Sequence, residues 1–192
     1  MGLDMYLSEE VYISRFEGLA DSNAEYRDEY DRASTIIKAA GLTMGVSGSV
    51  HVRATVMYWR KANAIHGWFV RQVQNDVDDC GRYSVSVDQL NELVARCRRV
   101  LAESKMESGT IINGYTASAE TGGKFMPNIE EGDVIANPEI ADKLLPTGDG
   151  FFFGSTAYNE WYVRELIDTV AGLESAMAAA SEYPGFHYES SW

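Results

Sequence analysis

Alternating apolar and polar positions predict β-strands in several parts of the chain. Near the N-terminus, Leu3, Met5 and Leu7 alternate with other residues, as in a strand that buries one of its faces. The clearest strand is predicted at residues 50–58, where valines alternate with polar side chains such as Arg53. The same pattern predicts shorter strands at residues 83–85 and 185–192.

Helices are predicted where apolar residues recur every three or four positions. The first covers residues 21–40, with Asp21 or Ser22 as its N-cap and Gly41 as its stop. The second covers residues 60–75 and is amphipathic. This spacing indicates helices that pack one face against a core.

Polar residues in front of apolar runs predict where three further helices begin. The strongest of these signals is the capping box of Ser86 and Gln89, in which each side chain bonds to the other residue's backbone N–H. The expected N-caps are Ser86 for the helix at 86–101, Asn137 for the helix at 138–145, and Ser155 or Thr156 for the last helix.

Residues 104–133 are rich in Gly, Ser, Thr, Asn and Glu, so a long loop or insertion is predicted there. Only residues 110–115 have the pattern of a strand. Elsewhere, strands and helices interleave without a regular βαβ repeat. The sequence therefore predicts one α+β domain over residues 1–192, with a mainly antiparallel sheet packed against several helices.

Charge narrows the classes of partner. The chain has 192 residues, with 16 basic and 29 acidic side chains and a net charge of −13, which disfavours extended nucleic acid and anionic membranes. The charge is uneven, because the segment from Arg32 to Asn75 holds six basic residues and no acidic one. A local site for a small anion is therefore compatible with the composition.

The few cysteines and the hydropathy of the chain favour a cytoplasmic protein. Cys80 and Cys97 are too few for a disulfide framework, and no basic segment followed by an apolar one opens the chain. No apolar run is long enough to span a membrane.

The sequence shows no metal-binding motif. The three histidines lack zinc-ligand spacing, and the aspartates at 76–79 do not match a calcium loop. Neither a metal nor a cofactor is expected.

The predicted helix at 60–75 carries the main candidate site. Arg60, Asn63 and His66 are three residues apart, so they are expected to form one polar row on that helix, with Trp59 beside it. Arg can hold phosphate or carboxylate, Asn can read an amide edge, and His can donate to an anion or move a proton. The structural alternative is that Asn63 and His66 satisfy buried backbone groups.

Four other residues complete the candidate ligand-binding set. Arg53 and Lys61 add positive charge, and Tyr158, like Trp59, offers a ring that can stack. Ser155 and its backbone amide are expected at a helix N-terminus, where an anion is favoured. The alternative for this segment is an aromatic core strand followed by an ordinary cap.

Four sequence blocks carry a resemblance to known proteins. They are GLDMYL at 2–7, YWRKANAIHGWFV at 58–70 with its continuation VDDCGRYSV, LLPTGDGFFFGSTAYNEWY at 144–162, and the terminal YESSW. With these blocks the chain resembles a family of small uncharacterised proteins of phages, prophages and bacteria. The resemblance implies a cytoplasmic accessory protein that acts in a phage-infected host, and it supplies no established activity.

Three functions are compatible with these residues. The leading hypothesis is that the protein binds a small anionic ligand, such as a nucleotide or a nucleotide-derived host signal, and acts by sequestering it. The second is a protein-interaction module that inhibits a host protein through its acidic surface and aromatic residues. The third is an enzyme acting on a phosphoester, with His66 as general acid or base. The many aromatic residues also suit contacts in a homo-oligomer.

Overall fold

Strands and helices alternate along much of the chain, but the strands described by the structure pair antiparallel, so they do not form the parallel pairs of a βαβ repeat. The computed structural model describes residues 2–14, 24–43, 49–117, 122–150, 153–181 and 184–192. Within these ranges, none of the helices is long and apolar enough to cross a membrane. In chain order the elements are β1 (Asp4–Ser14), α1 (Ala24–Ala39), β2 (Ser49–Arg60), α2 (Asn63–Gln72), β3 (Tyr83–Val85), α3 (Val87–Glu103), β4 (Met106–Ala117), β5 (Phe125–Ile135), α4 (Glu139–Leu144), α5 (Glu160–Ala179) and β6 (Gly185–Ser191).

Four strands form one antiparallel sheet in the order β2-β1-β6-β3. Its side chains alternate as predicted: Met5 and Leu7 are fully buried, whereas Asp4 and Tyr6 point to the opposite face. We call that opposite side the open face, because the helices pack on the side of Met5 and Leu7. The predicted α+β class with a mainly antiparallel sheet is confirmed.

The core lies between the inner face of this sheet and three helices. Phe69 of α2 stacks on Tyr188 of β6 with ring centroids 3.9 Å apart and an angle of 8° between the planes. Apolar side chains of α3 and α5 close the same cluster. Its fully buried members include Leu3, Met5, Leu7, Ile65, Trp68, Leu90, Leu93, Leu166 and Leu173.

The strands β4 and β5 pair as a β-hairpin, so the prediction that 104–133 is a long loop is wrong for these residues. β4 pairs with β5 in an antiparallel register from Met106↔Ile135 to Ala117↔Phe125. The hairpin is tied to the body at its base, where the Ile135 N–H donates to the Tyr158 carbonyl at 2.9 Å. Frequent Gly and Asn obscured these strands, because backbone pairing and not burial holds most of their length.

The end of α1 and the start of α3 lie where the sequence predicts them. Gly41 has a φ of +77°, and its N–H donates to the Lys38 carbonyl, as in the left-handed stop that glycine favours. The expected caps Asp21 and Ser22 lie outside the described residues. The capping box is confirmed: the Gln89 N–H donates to Ser86 Oγ at 3.1 Å, and the Ser86 N–H donates to Gln89 Oε1 at 2.9 Å.

Asn137 does not cap the helix that follows it. Its Oδ1 accepts from the Lys105 N–H at 2.7 Å and its Nδ2 donates to the Glu103 carbonyl at 2.9 Å. The residue before α4 is Pro138, which makes no side-chain cap bond. Asn137 therefore joins the end of α3 to the segment after β5, a long-range role that local sequence does not show.

Asn159, and not Ser155 or Thr156, is the N-cap of α5. Its Oδ1 accepts from the Trp161 N–H at 3.0 Å and from the Tyr162 N–H at 3.3 Å. The segment before it is an irregular loop, which the structure describes from residue 153 onward. The predicted anion site at a helix N-terminus formed by Ser155 is therefore wrong in its geometry.

Candidate functional site

The junction between β2 and α2 separates residues that the sequence placed in one row. β2 extends through Arg60, the Lys61 N–H continues the sheet by donating to the Leu3 carbonyl at 2.7 Å, and α2 begins at Asn63. Arg60 is exposed, whereas Asn63 and His66 are only 4% and 2% exposed. The predicted polar row on one helix is therefore wrong, because its first member belongs to a strand.

Trp59 faces the core and not the solvent. Its Nε1–H donates to Thr169 Oγ1 of α5 at 2.9 Å, and its ring meets the edge of Phe69 at 5.8 Å. The side chain pairs across the sheet with Met5, on the inner face. Trp59 therefore ties the sheet to α5 and presents no ring surface for a ligand.

Asn63 bonds to the segments on both sides of residues 151–152 and holds them against the start of α2. Its Nδ2 donates to the carbonyls of Phe153 at 3.0 Å and Ser155 at 2.8 Å, and its Oδ1 accepts from the Gly148 N–H at 3.0 Å. These three bonds use the amide in full apart from one acceptor lone pair. These contacts match the alternative prediction that Asn63 satisfies backbone groups.

His66 is buried and takes part in a chain of hydrogen bonds that extends to the partly exposed Asp78 and the exposed Trp192. Its Nδ1 lies 2.7 Å from the Tyr188 hydroxyl and its Nε2 lies 3.0 Å from Asp78 Oδ2. A carboxylate accepts hydrogen bonds, so Nε2 carries a proton and donates to Asp78. Trp192 Nε1–H donates to the other oxygen of Asp78 at 3.2 Å. Both ring nitrogens are therefore engaged, and the described structure gives His66 no free position for a substrate proton.

Tyr158 contacts α4 and its own loop, and the Ser155 side chain contacts its own loop. The Tyr158 hydroxyl donates to Asp142 Oδ1 at 3.0 Å and accepts from the Thr147 N–H at 3.3 Å. Burial is the main cause that raises the pKa of Tyr158 above its usual value. Ser155 Oγ accepts from the Ala157 N–H at 3.1 Å. These side chains shape the loop, and neither points its polar group at His66.

Arg53 lies on the open face and is already paired. Its Nε–H donates to Ser8 Oγ at 3.1 Å, and its Nη2 forms an ion pair with Glu189 of β6. The carboxylate neutralises the guanidinium charge. Arg53 is therefore a cross-strand contact of the sheet in this structure.

Arg60 and Lys61 converge above Gly2. A Cβ placed on Gly2 would lie 3.4 Å from Lys61 Cε and 3.9 Å from both Arg60 Nε and Nη2. The nearest carboxylate in the described chain is Asp4, 3.9 Å from Arg60 Nε, and no ion pair of Lys61 occurs there. We call this place, with Gly2, Tyr58, Arg60 and Lys61, the β2–α2 corner.

An aromatic surface borders the corner. Tyr58 precedes Arg60 by two residues on β2, so both side chains lie on the open face. Its half-exposed ring packs against Tyr6 with centroids 5.3 Å apart. The Tyr58 hydroxyl donates to Asp4, and this hydrogen bond is the main cause that raises the pKa of Tyr58. Continuing the period-two pattern through residue 60 would have placed Tyr58 beside Arg60.

The loop before α5 closes one side of the corner. Gly154 has a φ of +91°, and a Cβ there would lie 3.0 Å from Lys61 Cβ and 3.1 Å from the Lys61 carbonyl. Lys61 itself has a φ of +60°, an unusual conformation for a residue with a side chain. The Asn63 bonds to Phe153 and Ser155 hold this loop in contact with the turn.

The predicted ligand-binding residues thus fall into two groups. Arg60 and Lys61 meet at the corner, with Ser155 in the loop beside it. The others are engaged elsewhere: Arg53 with Glu189, Trp59 in the core, Asn63 and His66 in buried hydrogen bonds, and Tyr158 with Asp142. Across the described ranges, no group of three or more His, Cys, Asp and Glu side chains is placed to hold a metal ion.

Comparisons of the chain with protein-family models, with curated proteins and with solved structures found no match. The resemblance to proteins of phages and prophages stays a prediction, as does the cytoplasmic location.

Proposed function

We propose that the protein binds a small anionic ligand with a planar ring, such as a nucleotide, at the β2–α2 corner. The observation that carries this proposal is the convergence of the Arg60 and Lys61 side chains above Gly2, beside the exposed ring of Tyr58. If the resemblance to phage proteins holds, such binding would serve to sequester a host signal.

Local charge supports the proposal. Two cations face one carboxylate at the corner, so its local charge is positive, whereas the whole chain carries −13. The Arg60 guanidinium can meet two phosphate oxygens with parallel hydrogen bonds, and the Lys61 ammonium adds a compact charge. The surrounding negative charge repels a long polyanion but acts less on a small ligand that touches only the corner.

The aromatic surface supports a ligand that carries a ring. Tyr58 offers a half-exposed face at the edge of the sheet, and base–aromatic stacking contributes about 1–3 kcal/mol per base. Trp59, Asn63 and His66 are excluded as direct contacts in this proposal because each is buried and already bonded. The contact set therefore narrows to Tyr58, Arg60 and Lys61.

Isothermal titration calorimetry with ATP, AMP, adenosine and inorganic pyrophosphate tests the charge. We expect Arg60→Ala to weaken nucleotide binding about 10- to 100-fold, because charge-assisted hydrogen bonds contribute about 1.5–3 kcal/mol. Arg98→Ala is the matched control, since both arginines are 61% exposed and each has one carboxylate partner. Absence of binding by the wild type, or equal losses in both variants, would contradict the proposal.

A second pair of variants tests the ring. Tyr58→Ala is expected to weaken ATP binding more than pyrophosphate binding, because only the nucleotide has a base to stack. Tyr12→Ala is the control, since Tyr12 is similarly exposed on the same face but pairs with His51 far along the sheet. Equal effects of Tyr58→Ala on the binding of ATP and pyrophosphate would contradict stacking of the ligand ring on Tyr58.

A further inference from the structure

The outer part of the β4–β5 hairpin has one apolar face. Ile112 pairs directly with Ile129, and Tyr115 and Phe125 continue the same side toward the tip. We call these four side chains the apolar stripe; they are between 46% and 75% exposed. The described residues therefore leave this stripe uncovered, although a two-stranded sheet is marginally stable without packing.

The opposite face of the hairpin is polar and satisfied by its own residues. Asn113 Nδ2 donates to Glu130 at 3.0 Å, and Thr116 Oγ1 donates to Asn128 Oδ1 at 2.9 Å. Asn128 Nδ2 in turn donates to the Asn113 carbonyl at 3.3 Å. The outer part of the hairpin is thus amphipathic: its exposed large apolar side chains in the described residues lie on the stripe face, except for Met126 on the opposite face.

The strand edges are poorly suited to pairing with another strand. Pro127 has no backbone N–H to donate from β5, and the register of β4 is interrupted between Ile112 and Tyr115. Both features are devices that discourage edge-to-edge association. Association through the face of the hairpin is therefore favoured over extension of its sheet.

We propose that the apolar stripe packs against the same stripe of a second copy, so that two hairpins form a small sandwich in a homodimer. The four side chains leave on the order of 450 Å² of apolar surface per copy, given the usual areas of such residues. Two copies then bury about 900 Å² in total, which is below the range of stable specific interfaces and typical of weak, transient ones. The dimer is therefore concentration-dependent, with dissociation in the micromolar range.

Charge sets the relative direction of the two hairpins. Glu131 and Asp133 lie toward the base on the face of the stripe. If the hairpins run in opposite directions about a two-fold axis, the acidic base of each copy lies against the apolar outer end of the other copy's stripe and away from its own counterpart. Parallel hairpins would instead place Glu131 against its own counterpart, which is repulsive.

Sedimentation velocity of the full chain over a range of concentrations tests the dimer. We expect the wild type to shift from monomer to dimer across the micromolar range, and Ile129→Glu to raise the dissociation constant at least about tenfold, because it places a charge in the stripe. Met126→Glu is the matched control, since Met126 is 51% exposed on the opposite face of the same strand.

Circular dichroism checks that Ile129→Glu keeps its folded spectrum, and Phe125→Ser, a milder change, takes its place if it does not. A wild type that stays monomeric throughout would overturn the proposal. So would dimerisation of Ile129→Glu or Phe125→Ser with wild-type affinity, or equal weakening by Met126→Glu, because either result would place the contact outside the stripe.

Discussion

Glu165 of α5 is a carboxylic acid without a compensating partner. Burial alone raises its pKa from 4.5 to about 8, and the described part of the chain gives it neither an ion pair nor a hydrogen bond. Tyr162 on the same helix also has a pKa that is raised mainly by burial, with a smaller contribution from the charge of Glu165. Folding therefore favours the protonated acid, so ionisation of Glu165 opposes the folded state.

The sign of the pH dependence follows from the direction of the shift. Because the folded pKa lies above the unfolded one, the associated stability is fully present below pH 4.5 and is lost as the pH rises toward 8. Relative to low pH, the raised pKa lowers the unfolding free energy by about 1 kcal/mol at pH 5.5 and by between about 4 and 5 kcal/mol at pH 8.5, at 1.36 kcal/mol per pKa unit. Glu165→Gln should remove this loss of about 3 kcal/mol between the two pH values.

Urea unfolding followed by tryptophan fluorescence at pH 5.5 and 8.5 measures the difference. We expect Glu165→Gln to exceed the wild type in unfolding free energy, and the excess to grow with pH. Glu174→Gln on the same helix is the control, because the Glu174 side chain is 41% exposed and pairs with Arg98 at the surface, where such pairs contribute about 0–1 kcal/mol. Parallel pH profiles for wild type and Glu165→Gln would refute the argument.

Three further substitutions test contacts around the corner, each by urea unfolding. Asn63→Ala removes three buried hydrogen bonds and should lower the unfolding free energy by about 3 kcal/mol; a loss below about 1 kcal/mol would mean that the loop is held by other contacts. Gly154→Ala meets Lys61 at a positive φ and should destabilise by at least about 1 kcal/mol, whereas unchanged stability would contradict the close approach. Asn159→Ala removes the α5 cap and should lower stability by about 1 kcal/mol; no loss would disprove the capping role.

Local signals predicted several elements well. The capping box of Ser86 and Gln89 and the left-handed stop at Gly41 depend on residues within four positions of one another, so the sequence contains all that they need. The strand β2 was also predicted, but its alternation did not report burial: only Val50 and Trp59 are buried, and the register of the β1–β2 pair shifts between Leu7 and Ser8.

Predictions failed where a residue has partners far along the chain. Asn137 and Asn159 are both good caps by type, but only the position of β5 assigns Asn159 to α5 and Asn137 to the end of α3. The hairpin failed for a related reason, because its pairing is held by backbone bonds that its Gly-rich composition does not reveal.

The candidate site shows the same division. The residue types and the absence of acids near Arg60 and Lys61 are properties of the sequence, and they indicate a place for a small anion. Whether Arg60 continues a strand or opens a helix depended on the Lys61 bond to Leu3, more than fifty residues away. That hydrogen bond extended β2 through Arg60, which left Arg60 in solvent while Asn63 and His66 entered the core. Local sequence determined which chemistry was present, and long-range packing determined which of it faces a ligand.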